Sequence, residues 1–201
     1  TEEKTQIGGT EKQLVCESVS LDEPNVLLLD YAEYSFDGQE YFPKKNILKI
    51  DREYRTKLGI PIRSNYDRAQ PWRSRPLGET CRDKYLYLRF RIQSEIEYAG
   101  AFLALEGLDR TSIIFNGENV DMTDRGYYID KSIRKIALPR IEKGENILEM
   151  KIKIINSNVK GAEYCYLLGD FGVVVEGSEA RIVAKSQNAD FVSTKELKMP
   201  F

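Results

Sequence analysis

The sequence contains no histidine, and this absence removes several kinds of chemistry at once. Serine–histidine and cysteine–histidine catalysis both need an imidazole base, and many zinc sites use histidine as a ligand. The three cysteines, Cys16, Cys81 and Cys165, are widely spaced and form no CxxC pair, so they predict neither a disulfide framework nor a zinc site. Cys16 and Cys165 lie in apolar runs, which favours buried thiols.

Long apolar runs and a surplus of basic charge are also missing. No stretch approaches the roughly 18 apolar residues that span a membrane, and the polar start TEEKTQIGGT has no signal-peptide core. The net charge of −2 argues against a nucleic-acid partner, which needs a basic surface. Because the chain lacks an initiator Met and stops on Phe201, we expect it to be a piece of a longer polypeptide.

Alternation of apolar and polar residues is what the sequence has in abundance. KYLYLRFRI (84–92) and NILEMKIKI (146–154) show it most clearly, and a period of two is typical of antiparallel strands with one face in the core. Five further segments predict strands: NVLLLDYA (25–32), AFLALEG (101–107), TSIIFNG (111–117), CYLLGDFGVVVEG (165–177) and ARIVAK (180–185). The first of these is apolar on both faces, which predicts a central strand.

Glycine-containing turns separate these strands. Asp37-Gly38 and Asn116-Gly117 predict tight type I′ hairpin turns, and Lys143-Gly144 precedes the strand that begins near Asn146. About ten short strands at regular spacing predict an all-β fold, an antiparallel β-sandwich of the jelly-roll kind. We explain these glycines and asparagines by backbone need and assign none of them to a ligand.

One segment breaks the pattern of strands. PKKNILKIDREYRTKLGIP has apolar residues at helical spacing, Pro43 at its start and Gly59 past its end, which predicts one amphipathic helix over residues 44–58. A long irregular loop follows over residues 63–83, and loops of that length usually carry function or are disordered. The predicted organisation is a linker (1–11), a β-sandwich domain (12–187) and a tail towards a neighbouring domain (188–201).

Several of these segments together resemble a known family. FNGENV, DRGYYIDKSIRKIALP and IEKGENILEMKI follow one another as in galactose-binding-domain-like sandwiches, and DEPNVLLLDYAEYSFDGQEYFP and CYLLGDFGVVV extend the match. The chain thus resembles the sugar-binding-type β-sandwich of large bacterial glycoside hydrolases related to family 2 and to rhamnosidase-like enzymes. The resemblance covers residues 14–175.

The resemblance implies a non-catalytic accessory module that supports the catalytic domain of its parent enzyme and contacts carbohydrate. The parent would act in polysaccharide degradation, in the cytoplasm or after export. A stand-alone carbohydrate-binding module with direct glycan affinity is the alternative. A self-contained glycosidase or esterase is disfavoured, because the chain has no GxSxG motif and lacks the length and alternation of a (β/α)₈ barrel. No motif singles out a catalytic carboxylate pair, and no cofactor is expected.

Sugar binding needs aromatic faces and planar polar groups, and the long loop offers both. The only tryptophan, Trp72, has polar and basic neighbours there. Packing at the end of the sandwich or docking on a catalytic domain is the other explanation for this tryptophan. The candidate carbohydrate-binding residues are Trp72, Gln70, Arg73, Arg75, Tyr66 and, from another segment, Tyr128.

Tyr128 lies in the segment DMTDRGYYID (121–130). Tyr127 and Tyr128 are adjacent, so on a strand they point to opposite faces and one of them can meet a ligand. The acids Asp121, Asp124 and Asp130 form a weak candidate for a structural calcium site, since calcium prefers oxygen ligands. The segment matches no recognised calcium loop, so solvated acids are the competing explanation.

Overall fold

The computed structural model of the chain describes residues 22–63, 83–155, 160–177 and 179–185. These residues form two β-sheets and one α-helix, α1 (Ile47–Leu58), with a short 3-10 helix at Leu108–Arg110. The strands in chain order are β1 (Asn25–Leu29), β2 (Tyr31–Ser35), β3 (Phe42–Asn46), β4 (Tyr85–Ser94), β5 (Phe102–Glu106), β6 (Thr111–Phe115), β7 (Glu118–Asn119), β8 (Tyr127–Tyr128), β9 (Asp130–Ala137), β10 (Gly144–Lys153), β11 (Cys165–Gly169), β12 (Gly172–Glu176) and β13 (Glu179–Val183).

The five-stranded sheet has the order β1-β11-β5-β9-β8, and all its pairings are antiparallel. The second sheet runs β12-β13-β4-β10-β6-β7, with β2 paired to both β3 and β4. Since β10 pairs with β4 along its whole length, β2 and β13 share the other edge of β4, β2 antiparallel and β13 parallel. The all-β sandwich predicted from the alternation of residues is confirmed.

The core forms where the alternating strands turn their apolar faces inward. In β4 and β10 the predicted inward residues are buried, and the intervening charged and tyrosine side chains face outward. The five-stranded sheet contributes Leu103, Leu105, Ile136 and Leu167 to the same apolar cluster. Burying an aliphatic side chain of this size contributes about 1.5–3 kcal/mol, so the alternation alone accounts for much of the fold.

The prediction that NVLLLDYA forms one central strand is wrong. The segment splits at Asp30 into β1, at the edge of the five-stranded sheet, and β2, in the other sheet. Leu28, which was expected to be interior, is exposed. The Asp30 carbonyl does not join a ladder but accepts a hydrogen bond from the Ile47 amide at 2.9 Å, so the chain crosses between the sheets at this residue.

The predicted amphipathic helix is confirmed, but it begins at Ile47 and not at residue 44. Residues 42–46 form β3 instead, and Pro43 is tolerated there because β3, within the described part of the chain, is an edge strand paired only with β2. The Asn46 side chain caps the helix by accepting a hydrogen bond from the Leu48 amide at 3.2 Å. Gly59 ends it in the left-handed conformation, as its position predicted.

The two predicted hairpin turns have different outcomes. Asn116 and Gly117 both have positive φ and join β6 to β7, as a type I′ turn requires. At Asp37-Gly38 only Gly38 has positive φ, and residues 36–41 connect β2 to β3, so the prediction of a two-residue turn there is wrong. The longer loop is favoured because the Ser35 hydroxyl and the Asp37 carboxylate accept its amide hydrogens.

Candidate functional site

The predicted sugar-contacting loop lies mostly outside the described residues. Trp72, Gln70, Arg73, Arg75 and Tyr66 all fall in residues 64–82, so sugar contact by these side chains stays a prediction. Cys16 and Cys81 also lie outside. Arg63, the described residue that precedes this segment, is placed, and its surroundings are described below.

Tyr127 and Tyr128 form the short strand β8, and the pairing with β9 is irregular between them. Tyr127 is 49% exposed, whereas Tyr128 is half-buried, with its ring centroid 5.6 Å from that of Tyr166. Burial raises the pKa of the Tyr166 hydroxyl above its usual value. The structure therefore gives Tyr128 one ring neighbour and leaves part of its surface accessible, which is compatible with the predicted sugar contact but does not test it.

The acids of the weak calcium candidate cap their own turns. The Asp121 carboxylate accepts from the Thr123 amide and hydroxyl at 3.0 and 2.7 Å, and the Asp130 carboxylate accepts from the Ser132 amide and hydroxyl, both at 2.7 Å. These bonds lower the pKa of each carboxyl. In the part of the chain that the structure describes, no three acidic, cysteine or histidine side chains are grouped so as to hold a metal ion. Calcium binding stays a prediction.

Asp124, the third of these acids, lines a cleft with a volume of about 620 Å³. The cleft lies where β5 ends, the 3-10 helix follows and β9 begins. Its Asp124 carboxylate accepts hydrogen bonds from Arg134 Nε at 2.7 Å and from the Gly126 amide at 2.8 Å. The bond from Arg134 is the main reason why the pKa of Asp124 lies below its usual value. A volume of this size suits a small ligand.

Basic side chains outnumber acidic ones in the cleft, with Arg110, Lys131, Arg134 and Lys160 among its lining residues. Arg110 is fixed, because its guanidinium donates to the carbonyl of Gly161 at 2.5 Å and to that of Lys153 at 3.3 Å. Burial is the main cause that lowers its pKa, although the group stays cationic at neutral pH. The cleft thus presents polar groups of both signs around Met122, a lining suited to a hydroxyl-rich ligand.

A buried ionic network adjoins this cleft. Asp51 and Arg55 lie one turn apart on α1 and are almost fully buried, and Arg55 Nε donates to Asp51 Oδ2 at 2.8 Å. Arg63 Nε donates to the same oxygen at 2.8 Å, and the Ala162 amide donates to Asp51 Oδ1 at 2.9 Å. Arg63 also pairs with Glu163. The shared carboxylate therefore ties α1 to the segments on either side of it in the fold.

The network fixes the chain at two points that the strands do not hold. Arg63 is the residue before 64–82, and Lys160, whose carbonyl accepts from Arg55, is the residue after 156–159. The next residue, Gly161, must be a glycine, because a Cβ there would lie 2.5 Å from Asp51 Oδ1. Sequence analysis missed this network, although the spacing of Asp51 and Arg55 on the buried face of a predicted helix is a signal for such a pair.

The two turns that carry the family resemblance contact each other directly. Asn116 Nδ2 donates to Asn146 Oδ1 at 2.8 Å, and the Ile147 amide donates to Asn116 Oδ1 at 2.8 Å. Asn146 is fully buried and also exchanges hydrogen bonds with the backbone of Glu142, at 2.9 and 2.7 Å. These hydrogen bonds join the hairpin of β6 and β7 to the start of β10. Both asparagines therefore have a structural role in fixing the backbone.

Comparison with solved structures gives two alignments of low similarity. No protein-family model matches the chain, and no curated protein matches it. A β-D-mannosidase from Dictyoglomus thermophilum aligns with a TM-score of 0.42 and 15% identity, covering 79% of this chain and 25% of the mannosidase. A β-D-glucuronidase from the same organism aligns with a TM-score of 0.38 and 12% identity, covering 81% of this chain and 32% of the glucuronidase. The chain spans about a quarter to a third of the length of these two structures.

Proposed function

We propose that the chain is a non-catalytic β-sandwich module of a larger bacterial glycoside hydrolase, where it supports the catalytic domain and contacts carbohydrate. The observation that carries the proposal is the hydrogen-bonded pair of turns at Asn116 and Asn146. The NG and GEN segments gave the sequence its resemblance to galactose-binding-domain-like modules. Their direct contact within a two-sheet sandwich supports the same relationship.

The environment of the acids supports a non-catalytic role. A glycosidase needs one carboxyl that protonates the leaving group and a second that acts as nucleophile or base. Asp51, the buried aspartate of the described residues, is bound by two guanidinium groups and one amide. Asp124 in the cleft is held by Arg134, which favours its ionised form. A general acid at neutral pH requires a raised pKa, whereas the pKa of Asp124 is lowered.

Carbohydrate contact is proposed for two regions. One is the cleft beside Asp124, whose size and polar lining fit a small hydroxyl-rich ligand. The other comprises the predicted residues of the long loop, Trp72 above all, together with Tyr128. Arg63, the described residue before this loop, donates to the Ala162 carbonyl, and the adjacent Gly161 carbonyl accepts from Arg110 of the cleft.

The proposal is tested by assaying the purified chain for nitrophenol release from a panel of nitrophenyl glycosides. We expect no turnover above background. Turnover that survives repurification and disappears when a single carboxylate is replaced by its amide would contradict the proposed function. Sequencing the reading frame on both sides of the chain is the complementary test, because a catalytic barrel there would identify the parent enzyme.

The alternative is a stand-alone carbohydrate-binding module, and the volume of the cleft is the one observation that favours it. NMR titration of the isolated chain with neutral oligosaccharides separates the two. Saturable shifts at cleft residues such as Met122 and Arg134, in a reading frame without a catalytic domain, would establish the alternative.

A further inference from the structure

A second open groove lies on the opposite side of α1 from its buried face. We call it the α1 groove; it has a volume of about 720 Å³ and is bounded by the phenylalanines Phe36 and Phe42 and by the α1 residues Lys49, Arg52, Thr56 and Lys57. Lys49, Arg52 and Thr56 recur at intervals of three and four, and Lys57 follows Thr56 directly, so these residues lie along one side of the helix. No candidate from the sequence analysis falls among these residues.

The aromatic floor of the groove is rigid and accessible. Phe42 is 40% exposed, and its ring centroid lies 5.8 Å from that of Phe36 and 5.2 Å from that of Tyr34. Phe36 in turn stacks on Tyr54, at 4.5 Å with an interplanar angle of 9°. Because the rings hold one another, Phe42 presents a fixed apolar face, and little side-chain entropy is lost when a ligand stacks on it.

The helical side of the groove is cationic. Its one acid, Glu53, is already bound by Lys45 Nζ at 2.6 Å and by the Tyr34 hydroxyl at 3.3 Å. Lys57 lies over the Phe36 ring, with its Nζ 5.0 Å from the centroid. Among the described residues, no carboxylate forms an ion pair with Lys49 or Arg52. The groove therefore combines an aromatic floor with exposed lysine and arginine side chains that form no ion pair with a carboxylate among the described residues.

We infer that the α1 groove binds an anionic sugar, a uronate or a sulfated residue of a glycan. The C–H face of a pyranose would stack on Phe42, while its carboxylate or sulfate would pair with Arg52 and Lys49. An adjoining cavity of about 340 Å³ shares Phe36, Phe42 and Lys57 with the groove and is lined by Asp37, Glu40 and Lys84 as well. This inference deepens the proposed function and rests on it, since it names a class of glycan for the module.

A small ligand suits the groove better than an acidic protein does. Ligand sites typically have volumes of about 300–1,000 Å³, and the α1 groove falls within that range. A stable protein interface needs about 800 Å² from each partner and a larger apolar centre than two phenylalanines provide. An acidic peptide is therefore kept as a comparison in the test.

The experiment is an NMR titration of the ¹⁵N-labelled chain with trigalacturonate, with a sulfated galactose trimer and with a neutral galactose trimer. We expect saturable shifts at Arg52, Thr56 and Phe42 with one or both anionic trimers, and binding of the neutral trimer weaker by about tenfold. Arg52→Gln removes one cation from an exposed helical position and should weaken binding about fivefold. Lys143→Gln removes the same charge on another surface and should leave the affinity unchanged.

Phe42→Leu provides the second, independent variant. It keeps the apolar volume but removes the ring face, so it should weaken the anionic trimers without reducing their charge attraction. Equal binding of all three trimers, or no saturable binding, would overturn the inference. So would a triglutamate peptide that binds as tightly as trigalacturonate with no loss in Phe42→Leu, because the groove would then attract any polyanion. Turnover of aryl glycosides by the isolated chain, in contrast, would refute the proposed function and leave these affinities unaffected.

Discussion

Replacing Asp51 by asparagine tests the buried ionic network with a change of almost no volume. The aspartate accepts from Arg55 and Arg63 through one oxygen and from the Ala162 amide through the other. An amide at this position carries no charge and keeps only one acceptor oxygen. Arg55, which is 1% exposed, would then lose its ion pair with Asp51 and keep its bonds to the carbonyls of Pro61 and Lys160.

The magnitude follows from the cost of breaking a buried pair by removing one partner. Such changes destabilise proteins by about 3–5 kcal/mol, because they leave an uncompensated charge in the interior. For a domain of this size, each kcal/mol corresponds to about 2–4 °C in melting temperature. We therefore expect Asp51→Asn to lower the melting temperature by about 6–20 °C.

Urea unfolding of wild type and variant, followed by circular dichroism, measures the difference in free energy. Asp170→Asn is the matched control, because it makes the same chemical change in an exposed pair with Lys185; such pairs contribute about 0–1 kcal/mol. If Asp51→Asn costs no more than Asp170→Asn, the network does not stabilise the fold and the reasoning from burial is refuted.

Two further predictions concern buried polar groups. Asn146→Ala should lower the free energy of unfolding by about 2–4 kcal/mol, because Asn116 and the Glu142 backbone lose their partner, whereas the exposed Asn119→Ala should change it by less than about 0.5 kcal/mol; equal urea midpoints would contradict this. Burial raises the pKa of the Cys165 thiol from 9.0 to about 12. The thiol is neutral in both states below pH 9, and only the unfolded chain ionises between 9 and 12, so stability should fall as pH rises through that window. Peptide mapping after iodoacetamide treatment at about pH 8 should find Cys165 unmodified until urea is added, and rapid native labelling would show that the thiol is accessible.

Most of the strands could be predicted because their burial pattern follows the local alternation of apolar and polar residues. The inward positions of β4 from Leu86 to Ile92 and of β10 from Leu148 to Ile152 are all apolar, and the partner strand decides only the register. The segment NVLLLDYA misled the prediction because three consecutive leucines hide the alternation of a strand at a sheet edge. Its division at Asp30 depends on a hydrogen bond to Ile47, a residue that no local pattern connects with it.

The start of the helix was misplaced for a related reason. Lys44 and Lys45 have good helix propensity, but pairing with β2 keeps them in β3 until Asn46 caps the helix. Tertiary contacts outweigh propensity here. The C-terminal end was correct because Gly59 adopts the left-handed conformation on its own, without help from distant residues.

The candidate sites are formed by residues that lie far apart in sequence, so composition alone could not predict them. Phe42 and Arg52 looked unremarkable in a charged segment, and only the packing of β3 beside α1 brings them to one groove. Trp72 attracted the prediction because it is the only tryptophan. Its role stays a prediction, and so does that of the neighbouring loop residues.

Both faces of α1 carry charged residues, which are paired and buried on the inner face and exposed on the outer face. The helix thereby connects the ionic network with the α1 groove. On the inner face, Asp51 and Arg55 are paired and buried, and they hold the helix to Arg63 and to the backbone at Ala162. On the outer face, Lys49 and Arg52 stay exposed. A buried ion pair is weak evidence for stability, since apolar residues of similar volume often serve as well. The network instead fixes the rotation of α1, because a helix turned about its axis could not keep Asp51 on three donors. The same rotation places Arg52 on the groove that Phe42 also lines, so a loosened network should weaken ligand binding in the α1 groove even though the network and the groove share no residue.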